Sequence, residues 1–128
     1  MLKLGNHEYE ITKVDVNVKF TPSDLISIDL LATSTDESLD LEMREVELKA
    51  DFVALDLFVT NHIEINLPHG LITTVEFESI TKSILDILFL DKYNKKITLH
   101  WQGLCNVNWN KEFKDNVPFE VEFTTSYT

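Results

Sequence analysis

Val14-Asp15-Val16-Asn17-Val18-Lys19-Phe20 alternates apolar and polar side chains without a break. In an extended chain successive side chains point to opposite faces, so Val14, Val16, Val18 and Phe20 line one face and Asp15, Asn17 and Lys19 the other. That is the pattern of a strand with one face in a core and one in water. Tyr9 and Ile11 carry the opposite parity, which places a bulge near Thr12 and Lys13.

Working outward from this strand, period two dominates the chain. Thr21-Pro22-Ser23-Asp24 resembles a helix start, but Ile26 to Leu30 alternates and reads as a strand. Beyond a polar turn at residues 33–38, Leu39, Leu41 and Met43 alternate with Asp40, Glu42 and Arg44, and then Val46, Leu48, Ala50 and Phe52 resume on the other parity. A bulge at Arg44 and Glu45 reconciles the two halves. A helix competes here, since Ser34 and Glu37 have capping-box spacing and Leu39, Met43, Val46 and Ala50 fall on one stripe. Residues 53–60 form a nearly continuous apolar run, as in a central strand, and Ile63, Ile65 and Leu67 alternate up to Pro68-His69-Gly70.

Residues 80–90 are ambiguous. Ile80, Ile84, Ile87 and Leu88 share a helical face, whereas Ile84 to Leu90, the turn Lys92-Tyr93-Asn94-Lys95 and Ile97 to Trp101 read as a hairpin. The remaining strands carry Ile97, Leu99 and Trp101, then Val107 and Trp109, then Val117, Phe119, Val121 and Phe123. The expectation is a single, mostly β domain over residues 1–128: an antiparallel sandwich or barrel of about nine short strands, with room for one helix at residues 80–90.

The chain has 128 residues, 44% of them hydrophobic, which suits one core. Asp86 and Asp91 interrupt the most apolar run, so no membrane-spanning helix is expected. The absence of a secretory pattern in residues 1–10, with a lone Cys105, points to the cytoplasm. The net charge of −11 argues against nucleic-acid and anionic-membrane partners.

Chemistry is sparse. His62 and Glu64 share a strand face, with His69 beyond, but they lack the repeated spacing of a zinc site, and a solvated outer face is the simpler reading. Cys105 sits outside any nucleophile signature and reads as a buried thiol. Three scattered glycines cannot cradle phosphates, and Asp36, Glu37 and Asp40 match no calcium loop. Trp101 and Trp109 with the Asn106, Asn108 and Asn110 row evoke a sugar platform, yet ring and amides fall on opposite faces. No catalytic residue, metal or cofactor is therefore expected.

Charge is the one uneven feature, because residues 36–56 hold −6 of the −11. In the strand reading Asp40, Glu42, Glu45, Glu47 and Asp51 form one exposed acidic strip, whose self-repulsion calls for an explanation. The expectation is a non-enzymatic protein-binding module whose strip meets a basic protein, as an immunity protein or inhibitor covers a toxin or nuclease. Two alternatives are a structural subunit of a virion or secretion apparatus and a small ligand-binding β-barrel using His62, Glu64 or His100.

Overall fold

The computed structural model describes residues 1–20, 25–34, 40–49, 57–58, 61–65, 70–73, 77–109 and 112–128, with side chains at 1–19, 27–34, 40–43, 80–107 and 113–128. Every described element is a strand: β1 (Leu2–Leu4), β2 (His7–Tyr9), β3 (Ile11–Phe20), β4 (Leu25–Ser34), β5 (Asp40–Lys49), β6 (Leu57–Phe58), β7 (Asn61–Ile65), β8 (Gly70–Thr73), β9 (Phe77–Asp91), β10 (Lys96–Trp109) and β11 (Glu112–Ser126). The strands pair antiparallel in the order β2-β1-β11-β10-β9-β8-β5-β4-β3, with β6 and β7 also on β9. Mostly antiparallel β is thus what the chain forms. The strands are not uniformly short, however: β9, β10 and β11 run 15, 14 and 15 residues.

Both helix alternatives give way to strands. Residues 40–49 pair with β4 and, at Asp40 to Met43, with β8. Residues 80–91 pair along β10 through the hairpin read at Lys92 to Lys95. The reason residues 80–90 look helical lies in two bulges. Thr81 is an extra residue between Ile80↔Cys105 and Lys82↔Leu104, and Leu88 another between Ile87↔Leu99 and Phe89↔Thr98. The buried positions therefore fall at Ile80, Ser83, Leu85, Ile87 and Leu90, with gaps of three as well as two. The Thr81 hydroxyl donates to the Leu104 carbonyl at 3.2 Å and helps hold the first bulge. The central strand read over residues 53–60 is described only at β6.

The inward faces enclose one core. Leu2 and Leu4 of β1, Val16 and Val18 of β3, Ile28, Leu30 and Ala32 of β4, and Leu41 and Met43 of β5 join the buried rows of β9, β10 and β11 in a single cluster. Burying an aliphatic side chain contributes about 1.5–3 kcal/mol. An exposed ion pair such as Lys13–Asp15, 3.7 Å apart, is worth about 0–1 kcal/mol. The apolar rows decide the fold.

The sheet curls far enough for the segment after β11 to meet β3. The Thr128 N–H donates to the Val16 carbonyl at 3.0 Å, and the Val18 N–H donates to the Thr128 carbonyl at 2.9 Å. These two bonds link the segment after β11 to β3, at the far end of the strand order. The arrangement is barrel-like, fastened at this point without a continuous ladder around the ring.

Candidate functional site

The outer face of β3, β4 and β5 carries the acidic strip, and its register follows from the buried rows beneath. Inward Val16, Leu30 and Met43 fix their outward neighbours: Asp15 pairs with Leu31, which pairs with Glu42. One row on, Asn17 pairs with Asp29; in the other direction, Lys13 pairs with Thr33, and Thr33 with Asp40.

The expected bulge in β5 is present. The ladder steps from Leu30↔Met43 to Ile28↔Val46, so Arg44 and Glu45 together oppose Asp29. This extra residue has a consequence for charge. Without it, Asp40 and Glu42 would alternate out of phase with Glu45 and Glu47; with it, Glu47 takes the register position of outward Ser27 while Val46 faces buried Ile28. Asp40 and Glu42 take the register positions of Thr33 and Leu31, whereas the side chains of Glu45 and Glu47 lie outside those described. Asp51 lies outside the described residues. The expected bulge in β3 is present too: Ile11↔Ser34 and Lys13↔Thr33 leave Thr12 as the extra residue.

Register also brings in residues the strip did not include. Asp15 and Asp29 come from β3 and β4, so the acidic surface is three strands wide. At its centre Leu31 is 41% exposed, unusual for a leucine on a sheet flanked by carboxylates. Asp15, Asn17, Asp29, Leu31 and Glu42 border an open depression of about 270 Å³ floored by Leu30 and Met43. Chemically this is a set of carboxylate acceptors around a small apolar spot. The sequence signal for Asp15 and Asp29 was their outward parity, but only strand order shows that they flank β5.

The other residues weighed in the sequence fall elsewhere. Trp101 is 1% exposed and packs edge-on against Phe119, with ring centres 5.3 Å apart, so it offers no stacking platform. The Asn106 side chain accepts the Asn116 N–H at 3.3 Å, stitching a bulge where Asn116 takes a positive φ of 54°. Trp109, Asn108, Asn110, His69, Asp36 and Glu37 have no described side chains. Cys105 is buried, its thiol donating to the Val117 carbonyl at 3.5 Å.

His62 holds the register position opposite Asp86, and Asp86 is in turn opposite His100. Among the described residues, no three His, Cys, Asp or Glu side chains are grouped to hold a metal ion. No described helix could cross a membrane. The chain matches no known family model, no curated protein and no solved structure.

Proposed function

We propose that the chain is a non-enzymatic binding module whose outer β3–β4–β5 face docks a basic protein, in the manner of an immunity protein or inhibitor that covers a cationic cleft. The observation that supports this reading is the convergence of Asp15, Asp29, Asp40 and Glu42 from three strands around exposed Leu31. Like charges on neighbouring strands oppose folding, so keeping them together has a cost that a cationic partner would offset. Leu31 supplies what charge alone lacks, an apolar contact for the stem of an Arg or Lys whose head reaches the carboxylates.

Complementary charge acts mainly on encounter, and its effect falls with ionic strength. The test starts from the tagged chain used to recover basic proteins from cells of its source. Association is then followed for the wild type and for the Glu42→Gln, Glu45→Gln, Glu47→Gln triple variant. The expected result is an on-rate lower by roughly tenfold and a flatter salt dependence. An unchanged rate and slope would reduce the strip to a solubility device.

A further inference from the structure

Among the described residues, two buried side-chain polar atoms lack a hydrogen-bond partner: the Ser83 hydroxyl on β9 and the Trp101 indole Nε1 on β10. Both side chains are almost wholly enclosed, at 2% and 1% exposure. An unsatisfied buried donor costs free energy, and native proteins keep few of them, so each calls for a reason.

Register brings the two donors together. Ser83 pairs with Gly103, Gly103 pairs with Phe119 on β11, and Trp101 lies on the same face of β10, opposite Leu85. Ser83 and Trp101 are thus diagonal neighbours, a spacing that an aromatic side chain spans. The Phe119 ring meets Trp101 edge-on, which sets the indole beside the Ser83–Gly103–Phe119 row. Gly103 contributes no side chain to that row. An open cavity of about 330 Å³ borders it, lined by Ser83, Gly103 and Phe119 and, from flanking positions, by Lys82, Ile84 and Leu104. Cavities that hold small molecules start at roughly 300 Å³ and have mostly apolar walls with a few polar groups.

The indole N–H can only donate, and a serine hydroxyl donates readily. Two donors beside apolar Ile84, Leu104 and Phe119 suit a small apolar molecule that carries an acceptor oxygen. An anion suits the cavity less well, because the chain carries −11 and Lys82 on the lining is exposed, leaving its charge in water. We propose that this cavity binds an uncharged small molecule through a carbonyl oxygen that accepts from Ser83 Oγ and Trp101 Nε1. The site lies on β9–β10–β11, apart from the acidic face of β3–β5, and does not depend on the docking reading.

Three probes of similar size separate the contributions: acetophenone, with a carbonyl; ethylbenzene, without an acceptor; and benzoate, an anion. Heteronuclear NMR follows the Trp101 indole N–H, which reports hydrogen bonding directly. The expected result is saturable binding of one acetophenone per chain that moves the Trp101 indole resonance downfield. Ethylbenzene and benzoate should each bind about tenfold more weakly, the scale of a lost hydrogen bond. Ser83→Ala should weaken acetophenone by about tenfold and leave ethylbenzene unchanged. Without ligand, the same variant should unfold at an equal or higher temperature, because it removes an unsatisfied hydroxyl. No saturable binding at millimolar acetophenone overturns the proposal, as does equal affinity for acetophenone and ethylbenzene. So does a Ser83→Ala variant that keeps the wild-type preference, or one that is less stable without ligand, which would show that the hydroxyl is already satisfied by a buried water.

Discussion

Gly103 shows how tightly β9 and β10 cross. A Cβ built there would stand 2.1 Å from the Lys82 carbonyl oxygen and 2.7 Å from both the Cα and Cβ of Ser83. Those are mostly backbone atoms of the neighbouring strand, which cannot swing aside as a side chain would. Gly103→Ala should therefore destabilise the fold by about 1–3 kcal/mol, the usual scale of overpacking a filled region. Urea unfolding measures it, and an unchanged midpoint would show that the strands part at no cost. In the sequence Gly103 gives no such sign, because its role is set by the register with Ser83. Asp15 is a similar case: its outward direction is legible from Val14 and Val16, while its place beside Leu31 and Glu42 depends on which strands become neighbours.

At the scale of elements, legibility tracked the bulges. β3 and β5 each carry one bulge, and a single parity change in the sequence marks it. β9 carries two, at Thr81 and Leu88, and the resulting spacing imitates a helix. The turn after β9 settles the hairpin chemically. Asp91 Oδ1 accepts the N–H groups of Tyr93 and Asn94 at 3.0 and 3.1 Å, and Oδ2 accepts the Asn94 side-chain amide at 2.8 Å. The backbone and side-chain bonds from Asn94, then that from Tyr93, hold the Asp91 carboxyl below its ordinary value of 3.8. A depressed folded-state pKa contributes stability that is present above 3.8 and lost as pH falls through the lower folded value. Asp91→Ala should lower the unfolding midpoint at neutral pH, and the gap to wild type should narrow in acid below that window. A gap independent of pH would show that the charged carboxylate is not what holds the turn.

For the whole molecule, the fastening at β3 depends on residues 127 and 128. The Tyr127 N–H donates to the Lys95 carbonyl at 3.0 Å, and its hydroxyl lies 3.5 Å from the Asp91 carbonyl, so the β9–β10 turn and the closing contact are joined. Thr128 adds its hydroxyl to the Val16 carbonyl and the Asn17 side chain. Burial, helped by the charge of Asp91, raises the Tyr127 phenol above its ordinary value of 10.0. A raised pKa gives stability that is full below 10.0 and declines as pH rises through the folded value. Tyr127→Phe should remove that alkaline decline, which denaturation between neutral and strongly alkaline pH would reveal; an unchanged decline would place its origin elsewhere. Neither this fastening nor the strand order could be read from alternation, which reports the face of each strand and not its neighbours.

The same distinction separates the acidic face from net charge. With −11 on the whole chain, any acidic protein of this size attracts cations; the account requires that location matters. The most direct test compares two double variants that remove equal charge: Asp15→Asn with Glu42→Gln on the β3–β5 face, and Glu8→Gln with Asp115→Asn, exposed residues outside it. Association with the basic partner is measured across a range of salt concentrations. The account predicts that the first pair slows binding and flattens the salt dependence while the second leaves both close to wild type. Equal effects from the two pairs, or none from either, would contradict it.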